Sequence, residues 1–142
     1  AQGAEKARLA AGVKPYLKGI VAVMTDCIRD VGFPVDHRLW TEILAVAARD
    51  RSVRRAFAAS DTAMREVFIE LLRKAAAAGE IDPSLDFDAV SIWLYALVDG
   101  LIARTADDPD FYFSKHLKVF ETLVRRALSP QKRKEKNEQR KL

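Results

Sequence analysis

The sequence predicts an all-α fold, an antiparallel bundle of about five to six helices. Apolar residues recur every three or four positions through most of the chain, and no segment shows the strict alternation of a β-strand. Glycine and proline number only 6 and 5 in 142 residues, and most stand at breaks in the periodic pattern. Hydrophobic residues make up 49% of the chain, enough for one domain of this length with its own core.

The first helical pattern covers residues 4 to 31 and is interrupted by Gly12 and Pro15. Proline is disfavoured inside a helix because it removes a backbone hydrogen bond and its ring collides with the preceding turn. The pattern therefore predicts a short leading helix, a break, and a second helix over about 15 to 30.

Polar residues mark the start of each of the next two helices. Asp36 is a predicted N-cap for a helix over about 37 to 49, and Ser52 for a long helix over about 53 to 78. Gly79 is expected to end the long helix, because glycine adopts the left-handed conformation that commonly closes a helix.

The helix over 87 to 104, with Asp86 as its predicted N-cap, is apolar on nearly every side. Between its charged ends only Ser91, Asp99 and Gly100 are not apolar. Such a helix must be covered on all sides. One face is expected to pack on the chain's own core and the other on a second copy. The alternative is a helix buried entirely by its neighbours within a monomer.

The last helix is predicted to start near Pro109 or a few residues later and to end near 128. Two helices from each of two subunits would make a four-helix interface with twofold symmetry. The residues predicted to form this homodimer interface are Leu94, Leu97, Leu101, Leu117, Phe120 and Val124.

The net charge of +4 is concentrated at the C-terminus. Residues 129 to 142 contain six Lys or Arg and two Glu, which leaves 18 basic and 18 acidic residues in 1 to 128. The tail composition is typical of a disordered segment, with weak contact to phosphate or an anionic surface as the alternative. The sequence thus predicts one domain over 1 to 128 and a basic, disordered tail over 129 to 142.

Catalytic and metal-binding patterns are lacking. The two histidines, His37 and His116, are far apart, and no HExxH, GxSxG, Walker or GxGxxG motif occurs. The one cysteine, Cys27, lies on an apolar stripe, where a buried and inert thiol is usual. No apolar run approaches the ~20 residues that cross a bilayer. We therefore expect no enzyme activity, no cofactor, no metal site and no membrane contact.

The stretch AAAAGEIDPSLDFDAVSIWLYALVDGLIARTADDP, residues 75 to 109, resembles the C-terminal domain of the tetracycline-repressor (TetR) family of bacterial transcriptional regulators. The shared pattern is a long helix ending in Ala-x-Gly-Glu-hydrophobic, an Asp/Pro turn, a helix with a DGL segment, and DP before the last helix. The preceding RLWTEILAVAARDRSVRRAF resembles the two central helices of the family. The similarity runs over about 15 to 128.

The resemblance implies a cytoplasmic, all-helical, dimeric effector-binding domain of a transcriptional regulator that is expected to be a repressor. In the family, the last two long helices build the dimer interface, and small, mostly apolar or aromatic molecules bind between the core helices. A complete member reads DNA with an N-terminal helix-turn-helix head. Residues 1 to 14 are too short for one, so DNA binding is expected only through a head missing from this chain. The alternative is a helical structural or interaction module without a ligand.

Large, adaptable side chains on facing helical stripes are the expected lining of the effector cavity. Such stripes are also typical of ordinary core packing, so both interpretations stay open at each position. A buried Asp99 needs a partner, for which Arg104 or an arginine of a second subunit are candidates, with solvent contact as the alternative. The predicted ligand-binding residues are Met24, Trp40, Phe57, Met64, Phe68 and Trp93.

Overall fold

A computed structural model describes residues 12–30 and 36–131, and within these ranges every regular element is an α-helix. The all-α fold class is therefore confirmed. The predicted leading helix and most of the predicted tail fall outside the described residues. The helices are α1 (Tyr16–Arg29), α2 (His37–Ala47), α3 (Arg51–Ala77), α4 (Phe87–Asp107) and α5 (Phe113–Leu128).

Two of the three predicted N-caps are confirmed. The Asp36 carboxylate accepts the backbone N–H of Leu39 at 2.8 Å at the start of α2. The Asp86 carboxylate accepts the N–H of Ala89 at 3.1 Å at the start of α4. In both helices the acceptor satisfies one of the amides that have no partner within the first turn.

The predicted cap of α3 is wrong by two residues. Asp50, not Ser52, is the N-cap, and its carboxylate accepts the backbone N–H groups of Ser52 and Val53 at 2.7 and 3.4 Å. The Ser52 hydroxyl donates to the same oxygen at 2.6 Å, and these bonds lower the pKa of the Asp50 carboxyl. The aspartate prevails because its position ahead of the serine places a charged acceptor at the first free amides.

Buried side chains form one cluster to which every helix except α2 contributes. α1 packs against α3, α4 and α5, and α2 lies across α3 and α4. Ile20 and Met24 of α1, with Phe68 and Leu71 of α3, are at most 1% exposed. Full burial of a side chain of this size stabilises the fold by about 1.5–3 kcal/mol. The core therefore lies between α1 and the C-terminal half of α3.

Gly79 ends α3 as predicted, with a φ of +73°. Its N–H donates to the carbonyl of Ala76 at 3.0 Å, and the N–H of Glu80 donates to the carbonyl of Ala75 at 2.9 Å. This pair of bonds is the Schellman motif, which needs a left-handed residue at the glycine position.

α4 is, among the described residues, the one helix long and apolar enough to cross a membrane by length and composition. The expectation that no such segment exists was therefore too strict. Only 22% of its apolar window is buried inside the chain. Its buried residues Ser91, Leu94, Val98 and Ile102 form one stripe, so a large apolar surface remains on the opposite side.

Candidate functional site

Two pairs of aromatic rings connect α3 to its neighbours. The rings of Trp40 on α2 and Phe57 on α3 meet edge to face, with centroids 5.7 Å apart. The rings of Phe68 on α3 and Tyr95 on α4 make a second edge-to-face pair at 6.5 Å. Such pairs contribute about 0.5–1.5 kcal/mol beyond their burial. With the carboxyl of Asp99 these four residues form what we call the aromatic cluster.

Asp99 joins the two ring pairs. The indole N–H of Trp40 donates to Asp99 Oδ1 at 3.3 Å, and Asp99 follows Tyr95 by one helical turn on the same side of α4. The partner of Asp99 is therefore an indole rather than Arg104. Arg104 is exposed and lies 4.0 Å from the Asp108 carboxylate. Side chains five positions apart on a helix point in directions roughly 140° apart, so Asp99 and Arg104 face different surroundings.

The electrostatics of the cluster disfavour negative charge within it. Burial raises the pKa of the Asp99 carboxyl, and the nearby Asp61 carboxylate adds to this, while the Trp40 hydrogen bond acts in the opposite direction. Burial also raises the pKa of Tyr95, with further contributions from Asp61, Asp99 and Cys27. A hydrogen-bond donor placed beside Asp99 would stabilise its ionised form.

The structure divides the six predicted ligand-binding residues. Trp40, Phe57 and Met64 are half-buried, whereas Met24 and Phe68 are fully buried in the core. Five of the six therefore face the interior, and three of these keep contact with the surface.

Trp93 does not belong with the other five. It is 77% exposed, two positions before Tyr95, and residues two apart on a helix point to nearly opposite sides. The prediction that it lines an interior cavity is wrong for this reason. Tyr95 takes the interior place, and its spacing of four from Asp99 is the sequence signal that would have identified it.

The wall of the aromatic cluster formed by α2 is half-buried rather than fully buried. α2 contains no buried residue, and the buried residues of α3 begin only at Val67. Trp40 and Phe57 thus contact each other on the part of the bundle where neither helix is anchored by a fully buried side chain.

A second feature is a set of exposed apolar side chains on α4 and α5, which we call the outer face. Trp93 is the most exposed residue of the outer face, and the other members are between 40% and 60% exposed. Gly100 lies on the same side of α4 and has open space where a Cβ would project. The outer face consists of Ile92, Trp93, Leu97, Val119 and Leu123.

The residues predicted for the dimer interface only partly coincide with the outer face. Leu97 belongs to it, and Leu101 and Leu117 are half-buried. Leu94, Phe120 and Val124 are at most 7% exposed and pack in the chain's own core, so they offer no surface to a second copy. The stripe with the most regular helical spacing faces the interior of the chain, and the flanking apolar residues face outward.

A polar cleft of about 520 Å³ lies apart from the aromatic cluster, between the start of α2 and the end of α4. His37 lies at its edge, and a ring nitrogen, Nε2, donates to the carbonyl of Ile28 at 2.6 Å. This bond fixes α2 to the end of α1. Across the described ranges, no group of three His, Cys, Asp or Glu side chains is arranged to hold a metal. The cleft is lined by Asp36, His37, Arg38, Thr105, Ala106, Asp107 and Pro109.

Comparison with known families gives one match. Residues 17–129 match the family described as BetI-type transcriptional repressor, C-terminal, a segment that includes nearly all of α1 and the whole of α2 to α5. No curated protein and no solved structure matches the chain significantly. The family groups transcriptional regulators rather than enzymes, and such regulators generally dimerise, bind effectors and contact DNA through an N-terminal domain. The chain therefore belongs to the C-terminal domains of BetI-type transcriptional repressors, within the TetR family of regulators.

Proposed function

We propose that this chain is the ligand-sensing and dimerisation domain of a transcriptional repressor that responds to a small, mostly apolar or aromatic molecule. The observation that carries the proposal is the aromatic cluster, in which Trp40 pairs with Phe57 and donates its indole N–H to the Asp99 carboxylate, one helical turn from the half-buried Tyr95. Small-molecule sites are mostly apolar hollows with a few polar groups that fix orientation.

Asp99 adds a requirement to the ligand. Its described hydrogen bond, from the Trp40 indole, is 3.3 Å long, slightly beyond the usual range for N–H···O. A hydroxyl or amino group on the ligand would supply a second or better donor. The preferred effector therefore has an apolar or aromatic body and one donor group that reaches Asp99.

Ligand binding would act through α2. A ligand shifts a conformational equilibrium only if it binds one arrangement better than the other. No side chain of α2 belongs to the fully buried cluster, so a displacement of α2 by a ligand beside Trp40 would leave that cluster in place. In the intact regulator, which works in the cytoplasm, the new arrangement would alter the spacing of the two N-terminal DNA-binding heads of the dimer.

The two tryptophans allow a direct test of ligand binding. Trp93→Phe leaves Trp40 as the reporter in the aromatic cluster, and Trp40→Phe leaves Trp93 on the outer face. Titration with small aromatic alcohols and amines should change the Trp40 emission in a saturable way and raise the melting temperature. The emission of Trp93 should change much less. If no such probe raises the melting temperature, the chain is a helical interaction module without a ligand.

Dimerisation would use the outer face, with a second copy of the chain as its partner. A specific interface buries roughly 1,200–2,000 Å² in total, and two long helices per subunit can supply this area. Leu97→Glu and Leu123→Glu should convert a dimer into a monomer in sedimentation at micromolar concentration. Both positions are exposed in the single chain, so helix content should be preserved.

The matched control for these variants is Ser114→Glu, which adds the same charge at an exposed position of α5 outside the outer face. It should leave the dimer intact. An ordered monomer of the unmodified chain at the same concentration would contradict the assignment of the outer face to self-association.

A further inference from the structure

A segment of four residues in the turn between α3 and α4 makes hydrogen bonds to the ends of three helices. It closes α3 at Gly79, as described above, and Ile81 is fully buried within it. We call residues 79 to 82 the junction turn. Two of its polar groups make hydrogen bonds to helices that are distant in sequence.

Glu80 of the junction turn caps the start of α1. Its two carboxylate oxygens accept the backbone N–H groups of Tyr16 at 3.1 Å and Leu17 at 2.7 Å. These are the first two amides of α1, and the N-cap residue Pro15 offers no side-chain acceptor for them. A carboxylate at a helix N-terminus also interacts favourably with the helix dipole.

The next hydrogen bond of the junction turn reaches the end of α5. The backbone N–H of Asp82 donates to the carbonyl of Leu128, the last residue of that helix, at 2.9 Å. The Leu128 side chain is 2% exposed, so both the chain end and its side chain are fixed. Ile81 lies between the two contacts and anchors the turn in the core.

We propose that the junction turn couples the C-terminal end of α5 to the N-terminal end of α1. A displacement at Leu128 would move Asp82 through their hydrogen bond, and the buried Ile81 would carry the displacement to Glu80. The two amides of α1 would then lose their acceptors. Because α5 carries part of the outer face, whatever packs there is linked to the start of α1. Its use as a signalling route rests on the proposed function, but the coupling itself does not.

Two roles of Glu80 can be distinguished by experiment: a cap that only stabilises the start of α1, and a contact that transmits displacements of α5 to α1. If Glu80 only stabilises α1, a disturbance of α5 reaches the first turn of α1 solely through the direct packing of α1 on α5. That effect would persist in the Glu80 variant at the Gly19 amide, because Gly19 donates to the Pro15 carbonyl at 3.3 Å and does not depend on Glu80 for its acceptor. If the junction turn transmits the disturbance, the effect requires the carboxylate.

The test is amide hydrogen exchange at Tyr16 and Leu17, and at Gly19 as the amide of α1 that keeps its own acceptor, in the chain of 142 residues under conditions that report local opening. Val124→Ala on α5 and Val98→Ala on α4 are a matched pair, because both remove the same atoms from buried valines on helices that pack on α1. Val124→Ala should accelerate exchange at the two amides about fivefold more than Val98→Ala, the factor expected for one lost hydrogen bond.

Glu80→Gln completes the test. Its side chain keeps the size of glutamate but has one oxygen acceptor, so one of the two amides exchanges faster from the outset. In this background Val124→Ala should add little to exchange at the Gly19 amide, which keeps its own acceptor, the Pro15 carbonyl. Equal acceleration by the two valine variants would overturn the proposal, and so would an effect of Val124→Ala at Gly19 that is undiminished by Glu80→Gln. Neither result depends on a ligand or on dimerisation.

Discussion

The two halves of α3 differ sharply in packing, although they continue one helical pattern. Phe57 and Phe68 lie about three turns apart on the same side of the helix. Phe68 is 1% exposed and contacts Tyr95, with Leu71 beside it at 0%. Phe57 is half-buried against Trp40, and no residue before Val67 in the helix is buried. One helix therefore anchors the core at its C-terminal half and remains half-buried or exposed along its N-terminal half.

The lesson is that periodicity reports which side of a helix faces the interior, but not how tightly that side is covered. The C-terminal half of α3 is packed within the single buried cluster, together with α1. The N-terminal half is covered by α2, which contributes no buried residue. Full and partial burial are thus separated along one helix, and under the proposed function this would let the binding site open while the domain stays folded.

The largest expected effect comes from replacing phenylalanine by alanine in each half of α3, at Phe68 and at Phe57. Phe68→Ala should lower the free energy of unfolding by about 3–5 kcal/mol, because it leaves a cavity in a close-packed core. Phe57→Ala should cost less than half as much, since its surroundings are already partly open to solvent. Chemical denaturation of both variants measures the difference. Similar losses would show that the two halves of α3 are packed equally well.

A smaller effect is expected from the hydrogen bond between α2 and α4. Trp40→Phe keeps an aromatic ring but removes the donor to Asp99, which should cost about 1 kcal/mol. The comparison is Trp93→Phe, which changes an exposed ring and should stay within about 0.5 kcal/mol in the monomer. Denaturation at low protein concentration separates this contribution from any dimer contact. A larger loss for Trp93→Phe under those conditions would contradict the placement of the two rings.

The smallest effect is the pH dependence of stability that Asp99 of the aromatic cluster contributes. Burial raises the folded-state pKa of Asp99 above its ordinary value of 3.8. Below that value the carboxyl is protonated in both states and has no effect. As pH rises, the unfolded chain loses this proton first, so the folded state is progressively destabilised until pH passes the raised pKa.

Asp99→Asn removes this destabilisation and keeps an oxygen that can accept from Trp40. Its gain in stability should be under about 1 kcal/mol at pH 7, because solvent screening weakens electrostatic effects at a partly exposed site. The gain should vanish near pH 3. Denaturation curves across this range check it, and a gain that is independent of pH would show that packing, rather than the charge, is responsible.

Local sequence features predicted the helices and most of their ends. The caps at Asp36 and Asp86 and the stop at Gly79 depend on a side chain or a backbone preference acting within a few residues, so they could be read directly. The cap at Asp50 was missed by two positions, since two good capping residues, Asp50 and Ser52, compete there. The acceptor role of Glu80 could not be predicted, because its partners lie more than sixty positions earlier in the chain.

By itself the sequence determined the helical class, the separation of the helices and the family, because each depends on local periodicity or on a run of matching residues. Only the tertiary structure decided the directions in which α4 and α5 face. A helix that is apolar all round carries no amphipathic signal to orient it, so Trp93 was placed inside and Leu94 outside. The neighbouring helices decide instead, because Leu94 and Val98 on one side of α4 are covered by the chain's core, and Trp93 on the other side is not.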